Sequence, residues 1–496
     1  MDVASSSEYD QRKHTGHVRG WPRVLGVSAL TVAGAAVAVW TDHFLALGVA
    51  MLLYSAVEIG SAYVNYHHIN RSQEVDDEDP PPPSVGIVMV GYRENPDYWE
   101  RSLLSIRAAC GATRACRLTA LVACIDGDDA ELDQPMKDTF DLLFAEEDAT
   151  CDTIAHCHLL PHRGKRHAMV FGFRWLNERC PLPLDYVIVM DSDTYVRSPD
   201  AFDALVRCIH RDPKTACATS LLRIFNHDET LLTRIVAARY LYAFLIERGA
   251  LSAWGCMTCC SGPFSIYRAS CLSEALLRDF LQQTYCDQPV GPGDDRHLTL
   301  LLLLQGHRAR QTAHARAYTE TPKTISRFLL QQLRWSRSFY REQTFQVGAC
   351  GHQSWYLTIV TVYEWLFPLF LLLSLLPFYP FQPSIFTLVR RLVTVAVIVT
   401  VRTLALLGLY DGKLSIFYNL LVAPLFFLFL FPPRVLGACT LHMQQWVTST
   451  RAVTARRTPT CWTTASTDSC ALATTVLLWN VCLWSAVGWS LWCSLR

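Results

Sequence analysis

Three short clusters in this 496-residue chain combine carboxylates, a permanent cation and an aromatic ring at spacings that could hold a phosphorylated ligand and move a proton. Met190-Asp191-Ser192-Asp193 places two carboxylates two residues apart, just after the apolar run Tyr186–Met190. On a strand such residues point to the same side. Two adjacent carboxylates make a hard oxygen site for Mg2+ or Mn2+, which would neutralise a departing nucleoside diphosphate. Gly293-Asp294-Asp295-Arg296 supplies a second acidic pair. Asp295 is the candidate general base for the acceptor hydroxyl, and the like charge of Asp294 beside it is expected to raise one of the two pKa values. Acidic residues also favour the first turn of a helix, and His297–Leu304 reads as helical. In Gln331-Gln332-Leu333-Arg334-Trp335, positions 331, 334 and 335 share one helical face. That face offers an amide, a permanent cation and an aromatic plane, a set suited to a pyrophosphate and a sugar ring.

These clusters need a scaffold. Val85–Val90, Leu118–Ile125 and Tyr186–Met190 are short apolar runs of the kind that form buried parallel strands. Each ends in polar residues: Gly91-Tyr92-Arg93-Glu94, Asp126-Gly127-Asp128-Asp129, and Asp191-Ser192-Asp193. Ligands of open α/β sheets bind beyond the carboxyl ends of the strands, so the pattern implies a nucleotide-binding α/β domain. Tyr92, Glu94 and Asp126 are the expected uridine and ribose contacts. His162-Arg163-Gly164-Lys165-Arg166 is a cationic loop with Lys165 and Arg166 suited to phosphate, although a solvated basic loop would look the same.

Apolar residues make up 51% of the chain and are concentrated at its two ends. Val24 to Trp40 and His43 to Tyr63 read as a helical hairpin of membrane spans. Its flanks carry Arg12, Lys13, Arg19, Arg23 and Arg71, which places them in the cytosol. Ala36-Val37-Ala38 resembles a cleavage site, but cleavage there would export a domain that needs cytosolic nucleotides. Asp76 to Pro83 is an acidic, proline-rich spacer. Trp355–Tyr379, Ile385–Leu409 and Leu472–Trp492 read as further spans. Ser415–Pro433 reads as a broken segment returning to the cytosolic face, because full crossing would strand Arg434, Arg451, Arg456 and Arg457 outside. The divisions are therefore a cytosolic N-terminus (1–23), a hairpin (24–66), a linker (67–84), a cytosolic domain (85–345) and C-terminal spanning and interfacial helices (346–496). Five full spans and one broken segment are expected, or six full spans.

Lysine plus arginine equal aspartate plus glutamate at 44 each, which suggests no nucleic-acid partner. The 19 cysteines lie mostly in the domain placed in the cytosol, where thiols stay reduced. Cys256-Met257-Thr258-Cys259-Cys260 has zinc-like spacing but lacks a matching second pair.

At Gly91–Glu94, Pro161–Arg166, Asp191–Thr194, Cys259–Pro263, Gly293–Thr299 and Gln331–Ser336 the chain resembles hyaluronan synthases of the vertebrate and algal-virus type. The resemblance implies a GT-A, Rossmann-like α/β glycosyltransferase domain facing the cytosol and an α-helical transmembrane bundle with interfacial helices in the plasma membrane. It further implies polymerisation from UDP-N-acetylglucosamine and UDP-glucuronate, a Mg2+ or Mn2+ ion, and secretion of the nascent polysaccharide through a channel in the same subunit. Oligomeric state stays open, a monomer included. Carried over, Asp295 is the base, Trp335 stacks the acceptor sugar, and Cys260, Ser261 and Gly262 lie beside that sugar. Trp446 and Arg451 belong to a gating loop at about 446–457, where Val447 replaces the usual glycine. Arg402, deep in Ile385–Leu409, either lines the channel or forms a buried pair with Glu364 or Glu58. A single-sugar polymerase of the chitin synthase kind is the alternative activity, and a non-catalytic scaffold a more distant one.

Overall fold

The computed structural model describes residues 6–40, 44–69, 82–144, 153–181, 183–375, 385–409, 418, 420–421, 429 and 431–443. Eight strands form one sheet: β1 (Ser84–Gly91), β2 (Arg117–Ile125), β3 (Ile154–Leu159), β4 (Tyr186–Asp191), β5 (Tyr195–Val196), β6 (Thr215–Ile224), β7 (Phe264–Arg268) and, numbered in chain order after a small hairpin of β8 (Thr284–Tyr285) and β9 (Gln288–Pro289), β10 (Arg308–Thr319). Their spatial order is β3-β2-β1-β4-β7-β6-β10-β5. β1 pairs in parallel with both β2 and β4, and β7 runs antiparallel between β4 and β6. The chain therefore steps outward from β1 to β3, then returns to β4 on the other side of β1. That reversal opens a crevice at the carboxyl ends of β1 and β4.

Both faces of the central strands are covered, which explains their unbroken apolar runs. Every residue of β1 after Ser84 is buried, and β2 is buried after Arg117. Helices α3 (Pro96–Arg107), α4 (Gln134–Phe144), α5 (Lys165–Arg179), α6 (Asp200–His210), α7 (Leu231–Tyr242), α8 (Gly249–Ala253) and α9 (Glu274–Leu281) surround the sheet. α5 lies very close to it, because a Cβ at Gly172 would stand 2.5 Å from a Val88 methyl. That close approach fixes the height at which Lys165 starts the helix. α10 (Asp294–Leu304), α11 (Ile325–Arg341) and α12 (Gln343–Cys350) complete the domain.

At the N-terminus, α1 (Ser6–Trp40) is a single helix that starts well before the expected apolar run. Its first half docks on the domain. Tyr9 and Lys13 donate to Asp279 at 3.0 and 2.7 Å, and Arg23 donates to the Cys350 carbonyl at 2.7 Å. A Cβ at Gly20 would lie 1.8 Å from the Val347 carbonyl oxygen, so α1 and α12 cross at backbone contact. α2 (Phe44–Val64), α13 (Trp355–Leu375) and α14 (Ile385–Leu404) occupy the other expected apolar segments. Among the described residues no helix is long and apolar enough to cross a membrane. The expected broken segment over Ser415–Pro433 and the expected span over Leu472–Trp492 lie largely and wholly, respectively, outside the described residues. By Phe431 the chain is back against the domain: the Phe431–Cys439 helix packs on α11, with Gly437 against Ser336.

Candidate active site

The carboxyl ends of β1 and β4, the starts of α5 and α10, and α11 converge on one charged cluster. β4 ends at Asp191, and the Thr194 amide donates back to the Asp191 carbonyl at 3.2 Å. Asp193 thus stands in a turn past the strand, where Thr194 Oγ1 donates to it at 3.3 Å. Turn geometry, not strand alternation, brings the two carboxylates near each other. Lys165 Nζ donates to Asp191 Oδ1 at 2.6 Å and pairs with Asp294 Oδ2 at 3.0 Å. The lysine expected to meet phosphate therefore bridges two separate acidic motifs. Gly262 closes this pair from the side, since a Cβ there would lie 2.9 Å from Lys165 Nζ and 3.4 Å from Asp191 Oδ2.

The two neighbouring aspartates at the start of α10 have different surroundings. Asp294 is 5% exposed. Burial opposes its charge, but Lys165 and Arg166 outweigh burial and hold its carboxyl below the usual range. The crowding expected to raise one member of the pair does not raise Asp294, where the lysine bridge dominates over the like charge. Asp191 behaves oppositely, since burial with the help of Asp193 lifts its carboxyl despite Lys165. Asp295 is half-buried; its Oδ1 accepts the Arg296 amide at 2.8 Å, and its Oδ2 accepts from Cys259 Sγ at 3.4 Å. Burial, then Asp295, pushes the Cys259 thiol up to about 12, so it stays protonated as a donor.

Several residues stand elsewhere than the sequence suggested. Cys259, not Cys260, faces Asp295. Cys260 is fully buried, and its amide donates to Thr299 Oγ1 at 2.8 Å. Thr299 in turn donates to the Asp295 carbonyl at 2.7 Å, pinning the Cys259–Gly262 loop to α10. Ser261 bonds to Arg248. Arg166 turns away from the cleft: it is 3% exposed, and its guanidinium donates to Gln283 at 2.8 Å and the Phe280 carbonyl at 3.0 Å. Consecutive helical residues diverge by about 100°, so Lys165 and Arg166 cannot both face the substrate. Asp126 is also engaged. Its carboxylate accepts the Arg163 and Gly164 amides at 2.9 and 3.0 Å, satisfying donors ahead of α5. Gly164 itself has φ +96°, which a side chain would resist.

Above Asp126, Tyr92 stacks on His162 with ring centroids 4.7 Å apart, and the Arg93 guanidinium lies 5.1 Å from the Tyr92 ring. Glu94 is buried, accepting from Ser192 Oγ at 2.6 Å, and so ties the β1 turn to the acidic turn after β4. On α11, Arg334 is near Asp294, Asp295, Asp191 and Tyr240, although burial still lowers its pKa. Gln331 lies one turn earlier and is half-buried. Trp335 keeps 38% of its surface open beside Tyr240, at a centroid distance of 6.5 Å. An open indole one residue from Arg334 is a surface on which a sugar ring can stack.

Arg402 forms the buried pair, and its partner is Glu58 rather than Glu364. Nη2 is 2.8 Å from Glu58, Nε donates to the Tyr242 hydroxyl at 2.6 Å, and Glu247 lies 3.7 Å away. Glu364 accepts from Gln346 at 3.1 Å instead. A cation among apolar residues takes the nearest carboxylate. Trp446 and Arg451 lie outside the described residues.

The family described as glycosyltransferase like family 2 matches residues 82–338, which contain both acidic motifs, Lys165 and the α11 face. The chain belongs to this family. As a glycosyltransferase with a GT-A, Rossmann-like domain, it is similar over most of its length to hyaluronan synthases. Hyaluronan synthase 2 of Gallus gallus is 26% identical, covering 86% of this chain and 81% of the relative. Hyaluronan synthase 3 of Homo sapiens is 28% identical, covering 86% and 84%. Hyaluronan synthase 3 of Xenopus laevis is 28% identical, covering 74% and 68%.

Proposed function

We propose that this glycosyltransferase polymerises UDP-N-acetylglucosamine and UDP-glucuronate into hyaluronan, with inversion at each transfer, and secretes the polymer through its own membrane-spanning helices. The observation that carries this reading is the convergence of Asp191, Lys165, Asp294 and Arg334 in front of the half-buried Asp295 and the open Trp335. The catalytic domain would face the cytosol of a plasma-membrane protein, where UDP-sugars are available.

Asp295 accepts the proton of the acceptor hydroxyl as that oxygen bonds to the anomeric carbon. The bond from that carbon to the diphosphate breaks, and its electron pair leaves with UDP. Lys165 and Arg334 face the charge that develops on the leaving group. Trp335 holds the acceptor sugar by stacking, while the Tyr92–His162 platform and the Glu94 turn line the uridine end. Asp191 and Asp193 would hold a Mg2+ or Mn2+ ion. These two carboxylates share one turn closely enough that Asp193 opposes the charge of Asp191, a repulsion that a cation would relieve. Two carboxylates plus substrate phosphates suffice for such an ion, which when bound supplies charge neutralisation at the diphosphate. Arg166 acts from behind the cleft, and Asp126 acts through the amides it holds.

The test is incubation of the full-length protein in membranes with each UDP-sugar alone and with both. A high-mass, hyaluronidase-sensitive product is expected only from the pair. A long polymer from one donor would overturn the choice of substrates in favour of a single-sugar polymerase, and no UDP release from any donor would overturn the reading of the cleft.

A further inference from the structure

Three helices carry the groups assigned to transfer: α5 begins with Lys165, α10 begins with Asp294 and Asp295, and α11 carries Arg334 and Trp335 in its second half. Behind the cleft these helices are joined by polar side chains that do not meet the substrate in that mechanism. Glu342, at the end of α11, is fully buried, and both of its oxygens are engaged. Gln283 donates to Oε1 at 2.7 Å, and His297 Nδ1 lies 2.9 Å from Oε2. His297 is in the first turn of α10, its amide donating to the Gly293 carbonyl at 3.0 Å. Arg166, next to Lys165, closes the chain by donating to Gln283 Oε1 at 2.8 Å.

The other contacts around this chain leave it little freedom. The imidazole of His297 packs between Phe280 and Phe345, with centroids 6.1 and 4.9 Å away. A Cβ at Gly293 would stand 1.9 Å from Ser338 Oγ, so α10 meets α11 at a second point one turn from Glu342. Apolar packing alone lets helices slide by fractions of an ångström, whereas directional bonds at a fully dry site fix one register. A misplacement of about 1 Å at a reacting centre costs on the order of 100-fold in rate.

We propose that Arg166, Gln283, Glu342 and His297 are positioning residues for sugar transfer, locking the starts of α5 and α10 to the end of α11 so that Lys165, Asp295 and Arg334 address the same substrate atoms. This rests on the glycosyltransferase reading of the cleft. None of the four touches substrate, so their removal acts on turnover more than on donor binding.

The experiment uses the full-length protein in membranes, with donor-dependent UDP release read as kcat and KM per folded molecule, alongside thermal melting. His297→Leu keeps an apolar side chain between the two phenylalanines but loses the bond to Glu342, whereas His297→Asn keeps a donor near the Nδ1 position. We expect His297→Leu to lower kcat roughly 10- to 100-fold with KM within about threefold, and His297→Asn to recover most of the loss. Gln283→Leu, which breaks the same chain outside α10, should reproduce the kcat-selective loss even if His297→Leu does not fold. Unchanged kcat in a folded His297→Leu or Gln283→Leu protein would overturn the proposal, as would equal loss in the Asn and Leu variants. Wild-type protein releasing no UDP from any donor would instead overturn the reading of the cleft, and this inference with it.

Discussion

Two of the charge clusters among the described residues are built on opposite plans. Around Arg402, two cations meet two anions: Arg402 pairs with Glu58 and Glu247, and Arg239 pairs with Glu247 at 2.8 Å. The cluster is self-neutralising and ties α2 and α14 to the segment after α7. In the cleft, Asp191 and Asp193 repel each other from one turn, so that the Asp191 carboxyl is lifted even with Lys165 bonded to it. A carboxylate held against a like charge in a cleft is a mark of a functional site. A closed cluster marks structure, and an open one marks chemistry.

The largest effects should come from the open cluster. Asp295→Asn is expected to cut UDP release by about 10²–10⁴-fold, the usual share of a general base, while donor binding stays near normal. Equilibrium binding of a labelled UDP-sugar alongside turnover checks this. Lost binding with normal turnover per bound donor would exchange the roles of base and donor contact. Asp191→Asn should abolish metal-dependent UDP release, and a chelator should do the same to the wild type; full activity in chelator would remove the ion from the cleft.

Next in size is the closed cluster. Arg402→Leu leaves Glu58 buried without its partner and should cost about 3 kcal/mol, seen as a lower melting temperature of the full-length protein. The double substitution Arg402→Leu, Glu58→Leu should recover much of that loss. Unchanged melting would show that the pair holds nothing together, and would return Arg402 to a channel wall. The smallest effect lies on the domain surface at Asp212. Burial opposes its charge, but bonds from Arg308, the Lys214 amide and Arg310 hold its carboxyl down to about 2. Because the folded value lies below the ordinary carboxylate range, the stabilisation is complete above about pH 4 and is lost as pH falls toward 2. Asp212→Asn should cost about 1–2 kcal/mol near neutral pH, and the difference in melting temperature from wild type should shrink on acidification.

What the sequence disclosed was local. The unbroken apolar runs of β1, β2 and β4, each followed by polar residues, marked strands whose ends face one crevice. The spacing of Gln331, Arg334 and Trp335 marked a helix face. Side-chain direction within a motif was harder to read. Nothing in Cys259-Cys260 or Lys165-Arg166 says which member faces Asp295 or the cleft, because that depends on which neighbour arrives from the far side. Asp126 shows the same limit, since a carboxylate after a strand can bind a ligand or cap the next loop. The chain of Arg166, Gln283, Glu342 and His297 had no signal at all. Its members are scattered through the domain, and only the folded sheet brings them together.

The docking of α1 sets a timetable for synthesis. Arg23 bonds to a carbonyl 327 residues further along the chain, and Tyr9 to a carboxylate 270 residues further along. At about 5–20 residues per second, α1 waits roughly 15–65 s for the surface that receives it. Throughout that interval Gly16 and Gly20, whose backbone will be pressed against α12, have nothing to cross.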